Sequence, residues 1–236
     1  MTLPLTLDTP QRRIADEARA TQAARHDILS SFGVEYYQAN ASAITGAREN
    51  DLYVYKAFVG PHTISVETGD SVFWIDASLT SAQAMRGPYI CVSDHMAVML
   101  RGYTTRNRSC EIDGTTVLPY VNGCSTRQIL PPERLGDPTV QLLKIPPYTS
   151  EQAHHIHSTA RVVFILEGQG HCVVGMDQWH ARQELSAGMV VVLHPMCPHH
   201  FETQHSALVV MPIHIYSSVP GGMEFAHPMF NGTHKV

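Results

Sequence analysis

The residues best placed to do chemistry lie in Gln152-Ala-His-His-Ile-His-Ser-Thr-Ala-Arg161. Side chains alternate between the two faces of an extended strand, so His155 and His157 project to one side about 7 Å apart and His154 to the other. Two imidazoles held this way form a claw for a divalent cation. A third follows in Met189-Val-Val-Val-Leu-His-Pro-Met-Cys-Pro-His199-His200, where an apolar run enters a proline-bracketed bend and His199 comes out of it. Imidazole nitrogens suit iron, zinc, copper and nickel, so the ligand type alone does not name the metal. Arg161 lies an even number of residues beyond His155 and His157. Strict alternation therefore aims it at the same interior, where its guanidinium would hold a substrate carboxylate in a bidentate pair. The alternative is an outward, solvated arginine at a strand start, and a short bulge is enough to choose between them.

The elements that carry these residues read as strands. Val162 to Leu166 is a buried run closed by Glu167-Gly-Gln-Gly170, which predicts a strand ending in a turn. Thr139–Ile145, His171–Gly175, Met189–Leu193 and Ala207–Tyr216 repeat the pattern at a spacing that marks an antiparallel sandwich or barrel. Upstream, residues 52–76 alternate with period two around a Gly69-Asp70 turn, and further strands are expected at Tyr89–Val92, Met96–Leu100 and Thr116–Tyr120. The proline-rich stretch Leu130–Pro138 is the best boundary between the halves. The first half has no His-x-His, and its His62 and His95 lack partners at ligand spacing. It is either a degenerate second barrel or a set of extra strands on one barrel. Thr9-Pro10 starts an amphipathic helix that Gly33 stops, with Ile14, Ala18, Ile28, Leu29 and Phe32 on its apolar stripe. The expected organisation is a helix over 1–33, a β-rich segment over 50–130, a metal-binding barrel over 139–216 and a tail over 217–236.

The two histidine segments resemble the paired motifs of the cupins. The first is similar to G-x5-H-x-H-x3-E-x6-G, with Thr149 at the first glycine, His155 and His157 at the histidines and Gly168 at the closing glycine. The second is similar to G-x5-P-x-G-x2-H-x3-N, with Gly188 and His199 in register and His194, Met196 and Thr203 at the proline, glycine and asparagine. Arg161 stands where many cupins have a glutamate ligand, and a guanidinium has no lone pair to give a cation. The resemblance covers roughly residues 140 to 216. It implies an all-β, double-stranded β-helix (jelly-roll barrel), with an N-terminal helix and extra N-terminal strands beyond the motif. It also implies a divalent metal held by His155, His157 and His199. Among cupins the pattern looks most like the gentisate-type ring-cleaving dioxygenases, which also lack the glutamate. That likeness implies Fe(II), with Zn, Ni, Mn or Cu as alternatives, and an oxygenase acting on a small carboxylate-bearing substrate. A lyase, isomerase or rearrangement enzyme working without O2 is the second reading, and a non-catalytic metabolite-binding cupin the third.

Composition narrows the partners. A formal charge of -5 and a pI near 6.3 argue against a nucleic-acid backbone or an anionic membrane as the main partner, which leaves a small molecule and a homodimer or higher homo-oligomer. Twelve of the fifteen histidines lie from His154 onward, so the enrichment follows the metal motifs. Five cysteines without a C-x-x-C pair argue against a disulfide framework, and no apolar run approaches a membrane span, so a cytoplasmic home is expected. Cys124 and Cys197, the latter two residues before His199, read as small buried groups. His154 and His200 are expected to point away from the metal, and His171, His180 and His214 to be structural, with His214 late enough in its strand to reach the interior.

Overall fold

A computed structural model of the chain describes residues 27–46, 54–133, 137–176, 179–215 and 233–235. The first half contributes β1 Val34–Tyr37, β2 Ala43–Gly46, β3 Val54–Val59, β4 His62–Val66, β5 Ser71–Ile75, β6 Ser81–Arg86, β7 Tyr89–Ser93, β8 Met96–Arg101 and β9 Arg108–Glu111. The second contributes β10 Leu118–Pro119, β11 Ser125–Leu130, β12 Thr139–Ile145, β13 His155–His157, β14 Ala160–Met176, β15 Trp179–Ser186, β16 Val190–Leu193, β17 His199–Glu202, β18 Leu208–Ile215 and β19 Thr233–Lys235. All the pairings described between these strands are antiparallel, as the alternating patterns and short connections require. The fold is nearly all-β and of cupin type. Among the described residues, no helix is long and apolar enough to cross a membrane.

The helix expected over 1–33 lies mostly outside the described residues. Residues 27–32 are helical, and Gly33 ends them at a φ of +68°, its N–H donating to the Leu29 carbonyl at 3.1 Å. The expected tail over 217–236 likewise lies outside the described residues except for β19, which returns to pair with β13 along the histidine claw.

In the second half, one wall of the barrel runs β10-β11-β12-β18-β14, with β16 on the far side of β14 and β1 added beyond β16. The opposite wall is β15-β14-β17-β13-β19. β14 belongs to both walls. The turn expected at Glu167–Gly170 is not formed. The strand runs on through a bulge between Ile165 and Glu167, where Gly168 takes a φ of +86° and bends the chain from one wall into the other. A Cβ at Gly168 would sit 1.9 Å from the Ala207 carbonyl oxygen, so only glycine fits. Of the strand expected over Thr116–Tyr120, only Leu118–Pro119 pairs.

Alternation sorts the side chains of the first wall. Val163, Ile165, Val191, Leu193, Leu208 and Val210 face the barrel interior with Leu143 and Ile145. Val162, Phe164, Val190, Val192, Met211 and Ile213 face the other way and form one buried cluster with Tyr55, Ala57, Phe73, Ile75, Val98 and Leu100 of the first half. The first half carries a second cluster of its own, Phe58, Val72, Trp74, Ala97 and Met99 from the β2-β3-β8-β5-β6-β9 sheet with Ile64, Val66 and Cys91 from β4 and β7.

Candidate metal centre

His155 and His157 point into the barrel from β13, two residues apart on one face, and His199 faces them from β17, where it is the cross-strand partner of His155. The ring centroids of His155 lie 4.6 Å from both His157 and His199, and one ring nitrogen from each of the three lies within 4.8 Å of the others. The backbone sets the tautomers. His155 Nδ1–H donates to the Gln152 carbonyl at 2.6 Å and His199 Nδ1–H to the Cys197 carbonyl at 2.8 Å. Their Nε2 lone pairs are therefore left for a cation, the second-sphere arrangement typical of metal-binding histidines. Burial pushes His155 down to about 4 and His199 well below the usual histidine range, with the Arg161 charge adding to both. These are neutral donors at physiological pH, as metal binding requires. The residues present fit a divalent ion.

The departures from the cupin motifs have local explanations. Thr203 Oγ1 accepts from the Thr149 N–H at 3.0 Å and the Thr203 N–H donates to the Thr149 carbonyl at 2.8 Å, so the two threonines at the glycine and asparagine positions tie the motifs together. Met196, at a glycine position, takes that glycine's left-handed conformation with a φ of +66°, and its N–H donates to the His157 carbonyl at 2.7 Å. His194, at the proline position, bonds Glu35 of β1 at 2.9 Å. That bond, with Tyr37 and Thr45 also donating to the carboxylate, lowers Glu35 to about 2 despite partial burial.

Arg161 lies on the interior side of β14, before the bulge that would have turned it outward, and is 4% exposed. Its guanidinium reaches Nδ1 of His214, its cross-strand partner on β18, at 3.4 Å. Arginine only donates, so this Nδ1 accepts and Nε2 carries the ring proton. Burial, then the Arg161 charge, holds His214 well below the usual range and therefore neutral. Cys124 and Cys197 are buried in the interior cluster with their thiols pushed up by burial. His154 and His200 sit away from the trio. Their rings meet each other at 4.9 Å, with His180 at 6.5 Å from His154 and Glu202 at 3.6 Å from His200.

Sequence reasoning missed Glu151. It follows Ser150, outside any strand, yet the residue is 3% exposed and its carboxylate lies 3.9 Å from His155 Nε2. It is held by the Phe201 N–H at 3.1 Å, while its own N–H donates to the Phe201 carbonyl at 3.0 Å. Burial raises its pKa to about 7 against the opposing pull of the Phe201 bond and Arg161. No sequence signal marks it. Thr139 and Gln141 were missed as well, and these did leave a trace: they are the polar interruptions on the inward positions of a strand that continues with Leu143 and Ile145.

Residues 141–216 match the sequence model of the cupin domain family, which spans both histidine motifs and all of the inward residues from Gln141 to His214. No curated protein matches the chain. Among solved structures, the 7S globulin of Momordica charantia aligns at 9% identity over 78% of this chain and 84% of its own, with a TM-score of 0.46. The polyketide cyclase RemF of Streptomyces resistomycificus aligns at 16% identity over 48% and 80%, with a TM-score of 0.37. The DMSP lyase DddQ of Ruegeria pomeroyi DSS-3 aligns at 15% identity over 46% and 52%, with a TM-score of 0.35.

Proposed function

We propose that the chain is a metal-dependent cupin enzyme, with His155, His157 and His199 as metal ligands and Arg161 as the anchor for a substrate carboxylate, and that it acts as an Fe(II) dioxygenase. The observation that supports this reading is the convergence of three buried imidazoles on one point beside a buried guanidinium. A divalent ion held by His155, His157 and His199 would supply Lewis acidity and, were it iron, redox chemistry toward O2. Arg161 costs energy next to a cation unless an anion lies between them, and a substrate carboxylate is that anion. Held by the guanidinium, the substrate presents its reacting atoms to the histidine face in one orientation.

A second reading rests on Glu151. A carboxylate with its pKa raised to about 7, next to a metal-facing histidine, is suited to general acid–base work in a lyase or isomerase that needs no O2. Anaerobic purification with elemental analysis, followed by O2 uptake with and without candidate carboxylates, separates the two readings. Iron-dependent O2 consumption is expected under the first, and turnover under strict anaerobiosis refutes it. Arg161→Met is expected to lower kcat/KM by about 2–5 kcal/mol of transition-state binding while metal occupancy stays near wild type. Normal turnover in that variant removes the anchoring role.

A further inference from the structure

The end of the barrel beside Arg161 holds polar atoms that the fold itself leaves unpaired. Thr139, His214 and Arg161 stand in one row across β12, β18 and β14, each the direct cross-strand partner of the next. Directly opposed residues of an antiparallel pair share a face, so all three point inward. Gln141 is on that face two residues along β12, diagonal to His214, because Val140 pairs with Ile213 and Leu143 with Val210. Thr139, Gln141 and His214 are each 1% exposed. Among the described residues, Thr139 Oγ1, both amide atoms of Gln141 and Nε2 of His214 have no hydrogen-bond partner. A buried polar group left unsatisfied costs about 1–3 kcal/mol, and native folds hold few of them, so four such atoms clustered at one end of a barrel call for a ligand. Apolar residues of the same shape would pack there at no such cost.

The chemistry of the orphaned atoms describes what they would bind. His214 Nε2–H and the Gln141 NH2 donate, and the Arg161 guanidinium beside them brings a permanent positive charge. Gln141 Oε1 and Thr139 Oγ1 accept. We infer that Thr139, Gln141 and His214 are specificity-determining residues that complete the Arg161 seat, and that they select a 2-hydroxycarboxylate group: the carboxylate lies on the donors and the adjacent hydroxyl on the acceptors. The inference rests on the reading of Arg161 as a carboxylate anchor and deepens it. Arginine alone accepts any carboxylate, whereas a row with matched acceptors rejects one that lacks the hydroxyl, because its own acceptors then stay buried and unpaired.

The experiment uses the full chain stripped of metal by chelation and titrated calorimetrically with lactate and, separately, with propionate, which differ by one hydroxyl. Wild type is expected to bind lactate at least about tenfold tighter than propionate. Gln141→Leu, close in shape and apolar, is expected to abolish that preference by weakening lactate more than propionate, because it removes an acceptor for the hydroxyl as well as one donor to the carboxylate, and to raise the Tm of the free protein, since an orphaned amide is replaced by a packed side chain. A merely structural glutamine predicts the opposite shift in Tm. Thr139→Val, which removes one acceptor, is expected to reduce the preference as well, and so covers a Gln141→Leu protein that fails to fold. Equal or absent binding of lactate and propionate to wild type overturns the inference, as does full discrimination retained in Gln141→Leu or Thr139→Val. Metal content is measured on the same preparation before chelation. A chain that prefers lactate but never held metal tells against the metal centre alone, while a metal-bearing chain that is indifferent to the hydroxyl tells against this inference alone.

Discussion

Acid should unfold the metal-free protein steeply, and the slope follows from four buried groups. Burial keeps His155 neutral in the folded chain down to about pH 4 and holds His199 and His214 well below the usual histidine range, while in the unfolded chain each takes up a proton below its ordinary value of about 6.5. A histidine lowered by folding contributes stability that is present above the unfolded value and lost as pH falls beneath it. Glu151 works in the opposite direction. Raised to about 7, it is protonated in the folded chain across a range in which the unfolded carboxylate is ionised, so it recovers stability as pH falls between about 7 and 4.5. Across pH 5 to 6 the unfolded state therefore binds close to two more protons than the folded one. Each proton is about 1.4 kcal/mol per pH unit, so stability should drop by about 2–3 kcal/mol from pH 6 to pH 5. Urea unfolding of chelated protein at half-unit pH steps measures this directly. His214→Gln removes one of the three histidines and should roughly halve the slope. A free energy of unfolding that stays flat from pH 6.5 to 5 would refute the reasoning, because it would mean that these imidazoles protonate in place.

His155→Ala, His157→Ala and His199→Ala should each lose stoichiometric metal by elemental analysis, while His154→Ala and His200→Ala should retain it; retention in His199→Ala with loss in His200→Ala would reassign the third ligand. Gly168→Ala should be among the most damaging single substitutions in the barrel, at about 3 kcal/mol or more by chemical denaturation, since it combines a left-handed backbone with a Cβ driven into the Ala207 carbonyl. A loss under 1 kcal/mol would mean that the bulge relocates. Phe164→Ala, at a side chain 1% exposed whose ring meets the His95 ring of the first half in a tilted pair at 5.7 Å, should cost about 3–5 kcal/mol, and the two halves should still unfold in one transition. Separate transitions would show that the shared cluster does not couple them.

The parts of this structure that alternation governs were legible from the residues. The pairing of His155 with His157 and the strands on both sides of residue 150 follow from a period of two, whereas alternation left the aim of Arg161 open, and it is set by β14, which begins beyond a bend at residues 158–159. What escaped was set by distant chain. Glu151 has no pattern around it, and it is buried only because Phe201, fifty residues away, bonds it through both backbone groups. The continuity of β14 was hidden because glycine after a strand signals a turn as readily as a bulge, and only the pairing with β18 on one side and β15 and β17 on the other separates the two. The first half left a choice between barrel and added strands because its alternating residues are apolar on both faces. The two clusters show why: one face fills its own interior and the other packs on the neighbouring wall.

That wall has a consequence for how the candidate site can change. Arg161, Val163 and Ile165 project to the histidine side of β14, and Val162 and Phe164, one residue out of phase, project into the cluster shared with the first half. A single backbone ribbon thus separates the proposed substrate seat from the cluster that holds Ala57, Phe73 and Val98. Close-packed interiors pass small displacements on rather than absorbing them. Added volume in that shared cluster would press on β14 from behind and shift the guanidinium in front of it. Under the proposed function, activity can thus be retuned from the blind side of the strand, by residues that a search confined to its inward face would pass over.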